Sequence, residues 1–424
     1  MAKGIVVGCG LVLLVSLVAA SRIDARANSE TFVLLIGIAG IAYIAALFAV
    51  SRGLRSRRLL AVCLLLAVSW RVAIIPSAPL VSDDVYRYLW DGRVQRFGYN
   101  PYESTPNDPQ LAHLHGESTR RIDPSSAVLP TIYPPAAQLF FRAVNSLSDS
   151  VIAMVIAVVV CDLFTILLLW FWLTTTGRSP WWVLAYAWHP LVAIEGAGGG
   201  HIDLVGTFLL VAAGVALSRH RRLIAASVLA AAFAIKFLPI VLTPLFWRRV
   251  HLKDGVAALG LVVLVYLPFL DTGFSLPIGS LGTYLASWRF NGPIFGILAP
   301  RIGVLAISVL AVAVGLVVAA VARKTMSVDD PSAWAWPMAA SLLLMPVVYP
   351  WYLVWLTPFL MTRNVWPLTA WTLVSVLTYV VWSSQLAGTG WVLPGWVVAV
   401  EYGTLVVVAL WVWSRGTGRV QVVQ

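Results

Sequence analysis

Charged residues are scarce in this 424-residue chain: Asp, Glu, Lys and Arg together make up 11% of it, whereas hydrophobic residues make up 60%. A water-soluble domain cannot bury that much apolar surface, so the composition excludes a soluble globular protein. It predicts an all-α polytopic membrane protein, because a helix satisfies its own backbone hydrogen bonds within the bilayer.

Cysteine is also scarce, and acidic residues are fewer than basic ones. The three cysteines all lie in apolar runs, which excludes a disulfide framework and a cysteine-based metal site. The 18 acidic and 29 basic residues give a net charge of +11, a balance that can indicate nucleic-acid binding. Here the arginines form short clusters between apolar segments, as membrane topology requires, so we expect no nucleic-acid partner.

The apolar runs predict about thirteen transmembrane helices. Long runs lie near 5–20, 31–50, 59–76, 151–173, 181–196, 202–217, 255–270, 302–322, 333–348, 366–383 and 396–413. A shorter run, 351–362, is predicted to cross as well. The first run resembles a signal peptide, but we expect a retained helix because many further spans follow.

One stretch, 223–247, does not fit a simple alternation of spans. It lies between two basic clusters that both favour the cytoplasmic side, and Pro239 and Pro244 interrupt it. We therefore favour a re-entrant hairpin whose tip carries "KFLP", beginning at Lys236. A single proline-kinked span is the alternative.

The basic clusters predict the orientation of the chain in the membrane. Four arginines within 52–58 place the loop between the second and third spans in the cytoplasm. Alternation then places the long hydrophilic segment, 77–150, outside. The chain therefore divides into N-terminal transmembrane helices at 1–76, an extracytoplasmic loop at 77–150 and a transmembrane bundle at 151–424.

Charge is concentrated where the long loop begins, in "SDDVYRYLWDGRVQRFGYNPY", residues 82–102. Short amphipathic helices are expected in this loop, lying along the outer membrane surface. Arg87 has carboxylates four residues away on either side, at Asp83 and Asp91, which favours helical ion pairs. Asp83 and Asp84 in a first helical turn also complement the helix dipole, an interpretation that requires no catalytic role.

Further polar side chains cluster near the outer ends of apolar runs, where ionisable groups are costly unless they are paired or face a cavity. They are His189, Glu195, His201, Asp203, Lys236, Arg289, Asn291, Tyr349, Trp351 and Tyr352. His201 and Asp203 alone make a weak metal site, because further ligands are not evident. Carboxylates and cations at a lipid boundary are the groups needed to transfer a sugar from a lipid-phosphate donor to a hydroxyl. The cations would bind the phosphate, and a carboxylate would accept the proton of the acceptor hydroxyl.

Several segments in order resemble the GT-C superfamily of integral membrane glycosyltransferases, in particular its bacterial mannosyltransferase-like members. They are "DDVYRYLWDG" with "GYNPY" and "YPPAAQLFF", then "WHPLVAIEGAGGGHIDLVG", "KFLPIVLTPLFW", "SWRFNG" and "YPWYLVWLTPFL". The resemblance covers most of residues 77–362 and implies a GT-C-like bundle. Many members place the long loop after the first helix, whereas here it follows the third, so we infer two additional N-terminal helices.

The resemblance implies roles for individual residues. The general base falls on Asp84 or Asp83, and Asp84 is favoured because it begins an Asp-x-x-Arg-Tyr pattern found in some members. Candidates for the donor phosphate are Arg87, His201, Lys236 and Arg289. Candidates for lining the sugar pocket are Tyr133, Asn291, Trp351 and Tyr352, and Tyr88 and Asp203 complete the substrate-binding set.

The resemblance also implies the reaction. A polyprenyl-phosphate sugar would be the donor, with mannose ahead of arabinose and glucose, and a hydroxyl of a glycan or glycolipid would be the acceptor. The transfer would invert the anomeric carbon on the extracytoplasmic side of the cell membrane, without a metal or other cofactor.

Two alternative functions remain. One is a transporter or flippase of lipid-linked sugars, which also needs a groove and buried charges. The other is a non-catalytic scaffold, in which Lys236 and the acidic pair would lie far apart.

Overall fold

The computed structural model describes residues 2–270 and 276–416, which form helices joined by loops. Within these ranges, eight helices are long and apolar enough to cross a membrane. They are Ala2–Ser21, Ser29–Ser51, Arg57–Ser77, Val151–Thr175, Leu252–Phe269, Val304–Thr325, Arg363–Leu386 and Gly395–Arg415. These helices agree with the prediction of an all-helical, multi-pass membrane protein. Residues 271–275 and 417–424 of the predicted bundle lie outside the described part of the chain.

The predicted count of about thirteen crossings is not confirmed, because several apolar runs fold into shorter pieces. The run 181–196 consists of Pro180–Val183, Leu184–Ala187, Pro190–Ala193 and one wide turn at Ile194–Gly198. The run 333–348 forms only the helix Ser332–Leu342. Three further short apolar helices are Asp203–Ser218, Arg222–Ile235 and Pro293–Ile302. Proline lacks the backbone N–H that a continuous helix needs, so a helix at Pro190 starts anew.

The stretch 223–247 turns back on itself. Its helix, Arg222–Ile235, follows the C-terminal end of Asp203–Ser218 and starts where Arg222 contacts His251. It ends beside the N-terminus of Asp203–Ser218, where Lys236 Nζ donates to Asp203 at 2.7 Å. Fifteen residues after Lys236, the chain reaches His251, which contacts Arg222 at the start of the same stretch. The two ends of the stretch therefore lie together, which favours the hairpin over a single span, with Lys236 at its tip.

The long loop contains two longer helices, Asp84–Arg96 and Pro135–Leu147, which we name the first and second loop helices. They approach closely at Gly92, where an added Cβ atom would lie 2.6 Å from the carbonyl oxygen of Phe141. Tyr88 stacks on the ring of Phe141 with centroids 4.4 Å apart. The smaller helical turns of the loop are Pro109–Leu114, Thr119–Arg121 and Pro124–Ala127. This packing fixes the first loop helix and therefore Asp84 at its N-terminus.

A buried ion pair joins the third and fourth long helices. Nε of Arg71 donates to Asp162 at 2.5 Å, and Nη1 donates to the carbonyl oxygens of Ala67 and Ala187 at 3.0 and 2.8 Å. Both charged side chains are fully buried. Arg71 lies in the last turn of the helix that leads into the long loop, so the pair anchors the start of that loop.

We expect Asp162→Leu to destabilise the protein by about 3–5 kcal/mol, because it leaves the buried Arg71 guanidinium without its counter-charge. Thermal denaturation in detergent, followed by size-exclusion chromatography, measures the loss. The matched control is Arg71→Met/Asp162→Leu, which removes both charges and should recover most of the stability. A single variant as stable as the wild type would contradict this role.

Candidate active site

Asp84 begins the first loop helix and faces the segment 194–202. Its Oδ2 atom lies 3.7 Å from Nδ1 of His201, and 34% of its side chain remains exposed. Burial raises the pKa of Asp84 to about 6; Lys236 opposes this rise and Asp203 adds to it. A carboxyl group with this pKa is largely ionised at neutral pH and basic enough to accept a proton.

His201 lies between Asp84 and a second acidic side chain. Its Nε2 atom lies 3.2 Å from Oε2 of Glu195, and both side chains are fully buried. The imidazole ring stacks on Trp351 with centroids 4.4 Å apart. Burial lowers the pKa of His201 well below its usual value, so the ring is neutral, with one nitrogen as donor and the other as acceptor.

The glycine run between the two apolar segments allows this arrangement. Ile194–Gly198 forms one wide helical turn, and the backbone N–H of His201 donates to the carbonyl oxygen of Glu195 at 3.0 Å. Gly200 has φ of +67°, a left-handed conformation that favours glycine. An added Cβ on Gly199 would lie 2.6 Å from Cδ2 of His201. The glycines therefore leave room for the imidazole beside its own backbone.

Lys236 is held by a buried carboxylate and an aromatic ring. Its Nζ atom donates to both oxygens of Asp203 at 2.7 and 2.9 Å, and the indole N–H of Trp355 donates to the same carboxylate at 2.7 Å. The ammonium group lies 4.0 Å from the centroid of the Tyr352 ring. Because 22% of the Lys236 side chain remains exposed, the ammonium can also bind an anionic ligand.

Aromatic residues contribute to the same site. Tyr133 lies beside Asp84, whose pKa it lowers, and interacts electrostatically with Tyr352. The ring of Tyr88 lies edge-on to that of Tyr133, with centroids 5.1 Å apart. The hydroxyls of Tyr352 and Tyr284 are 2.6 Å apart. Apolar rings with a few convergent polar groups are typical of a small-molecule site.

Asp83 has different partners from Asp84. Its oxygens accept hydrogen bonds from Arg26 at 2.6 and 3.1 Å, and the same guanidinium lies 4.4 Å from the ring centroid of Trp382. The sequence pattern predicted an ion pair between Asp83 and Arg87 and did not identify Arg26. The available signal was the charged segment 22–26 between the first two apolar helices.

Arg87 lies inside the loop rather than beside Asp84. It donates to Asp91 at 2.7 Å and to the carbonyl oxygens of Ser126 and Leu129 at 3.1 and 3.0 Å. The Asp91 carboxylate in turn accepts from Thr131 Oγ1 at 2.6 Å. These buried contacts connect the first loop helix to the rest of the loop.

Arg289 and Asn291 also have other partners. Arg289 is exposed, donates to backbone carbonyls of its own segment and lies 4.8 Å from the ring centroid of Phe295. Nδ2 of Asn291 donates to the two oxygens of Glu401 at 3.1 and 3.0 Å. Of the predicted residues, the structure brings together Asp84, Tyr88, Tyr133, His201, Asp203, Lys236, Trp351 and Tyr352. It gives other partners to Asp83, Arg87, Arg289 and Asn291.

Residues 5–250 match a protein family described as "Alpha-(1->6)-mannopyranosyltransferase, N-terminal domain". This is more than half of the chain. The chain belongs to this family. The predicted resemblance to bacterial mannosyltransferases is thereby confirmed. The matched residues contain the first loop helix, the segment 194–202 and Lys236, and so include most of the group around Asp84.

A similar protein is Alpha-(1->6)-mannopyranosyltransferase A of Mycobacterium tuberculosis, which is 26% identical over 332 residues. The aligned region covers 68% of this chain and 62% of that relative, so the chain spans less than two thirds of the length of this mannopyranosyltransferase. No solved structure matches the chain.

Proposed function

We propose that this protein is a membrane mannosyltransferase. It moves mannose from a polyprenyl-phosphate donor to a hydroxyl of a glycan or glycolipid on the extracytoplasmic side, forming an α-(1→6) bond. One observation carries this proposal. Asp84 is a partly exposed carboxylate with a raised pKa, and it lies in the same site as the partly exposed Lys236. Family membership supplies the sugar and the linkage.

In the proposed reaction, Asp84 is the general base. The acceptor hydroxyl oxygen forms a bond to the anomeric carbon of mannose while its proton passes to the carboxylate. At the same time the bond between the anomeric carbon and the phosphate oxygen breaks, and the electron pair leaves on the phosphate. A single displacement inverts the anomeric carbon, so a β-linked donor gives an α-linked product.

The cation and the aromatic residues serve the donor in this proposal. Lys236 binds the departing phosphate, whose negative charge grows as the bond breaks. Tyr133, Trp351 and Tyr352 contact the sugar, and neutral His201 orients the Asp84 carboxylate. Arg87, Arg289 and Asn291 are assigned to the scaffold, because the hydrogen bonds that they donate go to groups outside the site around Asp84.

The direct test is mannosyl transfer by the purified full-length protein in lipid nanodiscs. Polyprenyl-phosphate [¹⁴C]mannose is the donor, α-(1→6)-mannotriose is the acceptor, and the linkage in the product is determined by NMR. GDP-mannose serves as the control donor and should give no product. The proposal is wrong if the lipid donor gives no transfer while the protein remains folded.

The pH dependence of the reaction follows from the Asp84 pKa of about 6. Since the base must be ionised, kcat/KM should be constant above this pH and fall roughly tenfold for each pH unit well below it. Tyr133 lowers the pKa of Asp84 by hydrogen bonding, so Tyr133→Phe should move the acid limb to higher pH. A limb that does not move in this variant would contradict the assignment of Asp84 as the titrating base.

A further inference from the structure

An open cleft of about 540 Å³ lies on the side of the first loop helix where Asp83 is found. It is formed by the end of the first long helix with the turn that follows it, by residues 77–86, and by Arg121 from the middle of the long loop. The charged residues that line it are Arg22, Asp24, Arg26, Asp83 and Arg121, and Tyr86, Ser21 and Ser77 add hydroxyl groups. Their positions in the sequence are far apart, so the fold builds this cleft from three separate segments.

The charged groups of the cleft supply both hydrogen-bond donors and acceptors. Arg26 is paired with Asp83. Arg22 makes one hydrogen bond of 3.3 Å, to the carbonyl oxygen of Ala73, and Arg121 pairs with Glu117 at 3.1 Å on the exposed surface. These two exposed guanidinium groups therefore retain N–H donors that a ligand can use.

The mixture of donors and acceptors suits a neutral polyol. Guanidinium N–H pairs can donate to neighbouring sugar hydroxyls, and carboxylates can accept from them. Both kinds of group are present, because three guanidinium groups and two carboxylates line the cleft. A cavity of 540 Å³ also falls within the usual range for small-ligand sites.

The cleft adjoins the candidate active site through the backbone of two segments. Asp83, which lines it, precedes Asp84, and consecutive Cα atoms are only about 3.8 Å apart. Leu80, another lining residue, donates its backbone N–H to the carbonyl oxygen of Gly198 at 2.8 Å. Gly198 belongs to the turn that carries Glu195. Residues that line the cleft are therefore in direct backbone contact with the segments that hold the proposed base and its histidine.

We propose that this cleft binds the acceptor glycan, with Arg22 and Arg121 donating to its hydroxyls and Asp83 accepting from them. The assignment rests on the proposed function and extends it. The two adjacent carboxylates then have separate tasks: Asp83 positions the acceptor, and Asp84, on the donor side, removes its proton. The donor phosphate is bound at a separate place, by Lys236.

The test compares Arg121→Ala and Arg22→Ala with the control Arg120→Ala, which removes a neighbouring exposed arginine that does not line the cleft. KM is measured separately for polyprenyl-phosphate mannose and for α-(1→6)-mannotriose. We expect each of the first two variants to raise the KM of the trisaccharide roughly tenfold, as for the loss of one hydrogen bond to a charged group. The KM of the donor should not change, and Arg120→Ala should match the wild type. Unchanged trisaccharide KM values, or an increase in the donor KM instead, would overturn the proposal.

A binding measurement separates this inference from the proposed function. Mannotriose is titrated into the full-length protein without donor, with tryptophan fluorescence as the readout and maltotriose as the control sugar. Saturable mannotriose binding that is lost in Arg22→Ala/Arg121→Ala supports the cleft even if the transfer assay fails. Transfer activity together with unchanged mannotriose binding in this double variant would leave the function standing and refute the cleft.

Discussion

Replacing Asp84 with asparagine is expected to lower kcat by roughly 100- to 10,000-fold, the usual contribution of a general base. Asparagine retains the shape of the side chain and one acceptor oxygen, but it replaces the other oxygen with an NH2 donor and does not accept a proton at neutral pH. Initial rates of mannosyl transfer, measured with saturating donor and acceptor, give the effect on kcat. Because about a third of the Asp84 side chain is exposed, the variant should fold, and its thermal denaturation should resemble that of the wild type.

The matched control is Asp83→Asn, one residue earlier in the chain. Asp83 pairs with Arg26 and lines the cleft, so its replacement should mainly raise the acceptor KM and leave most of the turnover at saturation. Equal losses of kcat in the two variants would show that the carboxylates do not have separate tasks. Full turnover in Asp84→Asn would refute the proposed mechanism.

The length of apolar runs predicted helices well where the helix faces lipid and less well where it is surrounded by protein. The runs 5–20, 31–50 and 151–173 each correspond to one long helix. The run 181–196 is equally apolar but almost entirely buried, and it is broken into short turns. Inside a protein, irregular backbone can find hydrogen-bond partners in neighbouring segments. Hydropathy therefore indicates burial in both cases but cannot distinguish a long helix from short pieces.

Part of the site could be predicted because a charged residue in an apolar segment is costly unless it is paired or has a function. His201 and Lys236 were identified on that basis, Asp84 was favoured by the family resemblance, and the structure brings the three together. The partner of each charge could not be predicted, because it depends on contacts between distant positions. Arg26 and Asp83 are separated by 57 residues, and Asn291 and Glu401 by 110. The i,i+4 spacing predicted that Asp83 would pair with Arg87. In the structure Arg87 pairs with Asp91 instead.

Lys236→Met is expected to have the second large effect, a decrease in kcat of roughly 100- to 1,000-fold, comparable to the loss of one group that stabilises developing negative charge. In the proposed reaction the ammonium balances the charge of the departing phosphate. The substitution also leaves the buried Asp203 without its counter-charge, so some destabilisation should accompany the loss. A decrease in activity alone would therefore not separate catalysis from folding.

The double variant Lys236→Met/Asp203→Asn makes that separation. Asparagine keeps an oxygen that can accept from the indole N–H of Trp355, and no unpaired charge remains, so thermal stability should largely recover. The two changes also have opposite effects on the base, because Lys236 lowers the pKa of Asp84 and Asp203 raises it. These opposing effects reduce the change in the Asp84 pKa relative to Lys236→Met alone. If Lys236 binds the phosphate, the stable double variant should remain as inactive as Lys236→Met. Recovery of transfer would instead mean that Lys236 serves only to neutralise Asp203, and that the phosphate is bound by another group.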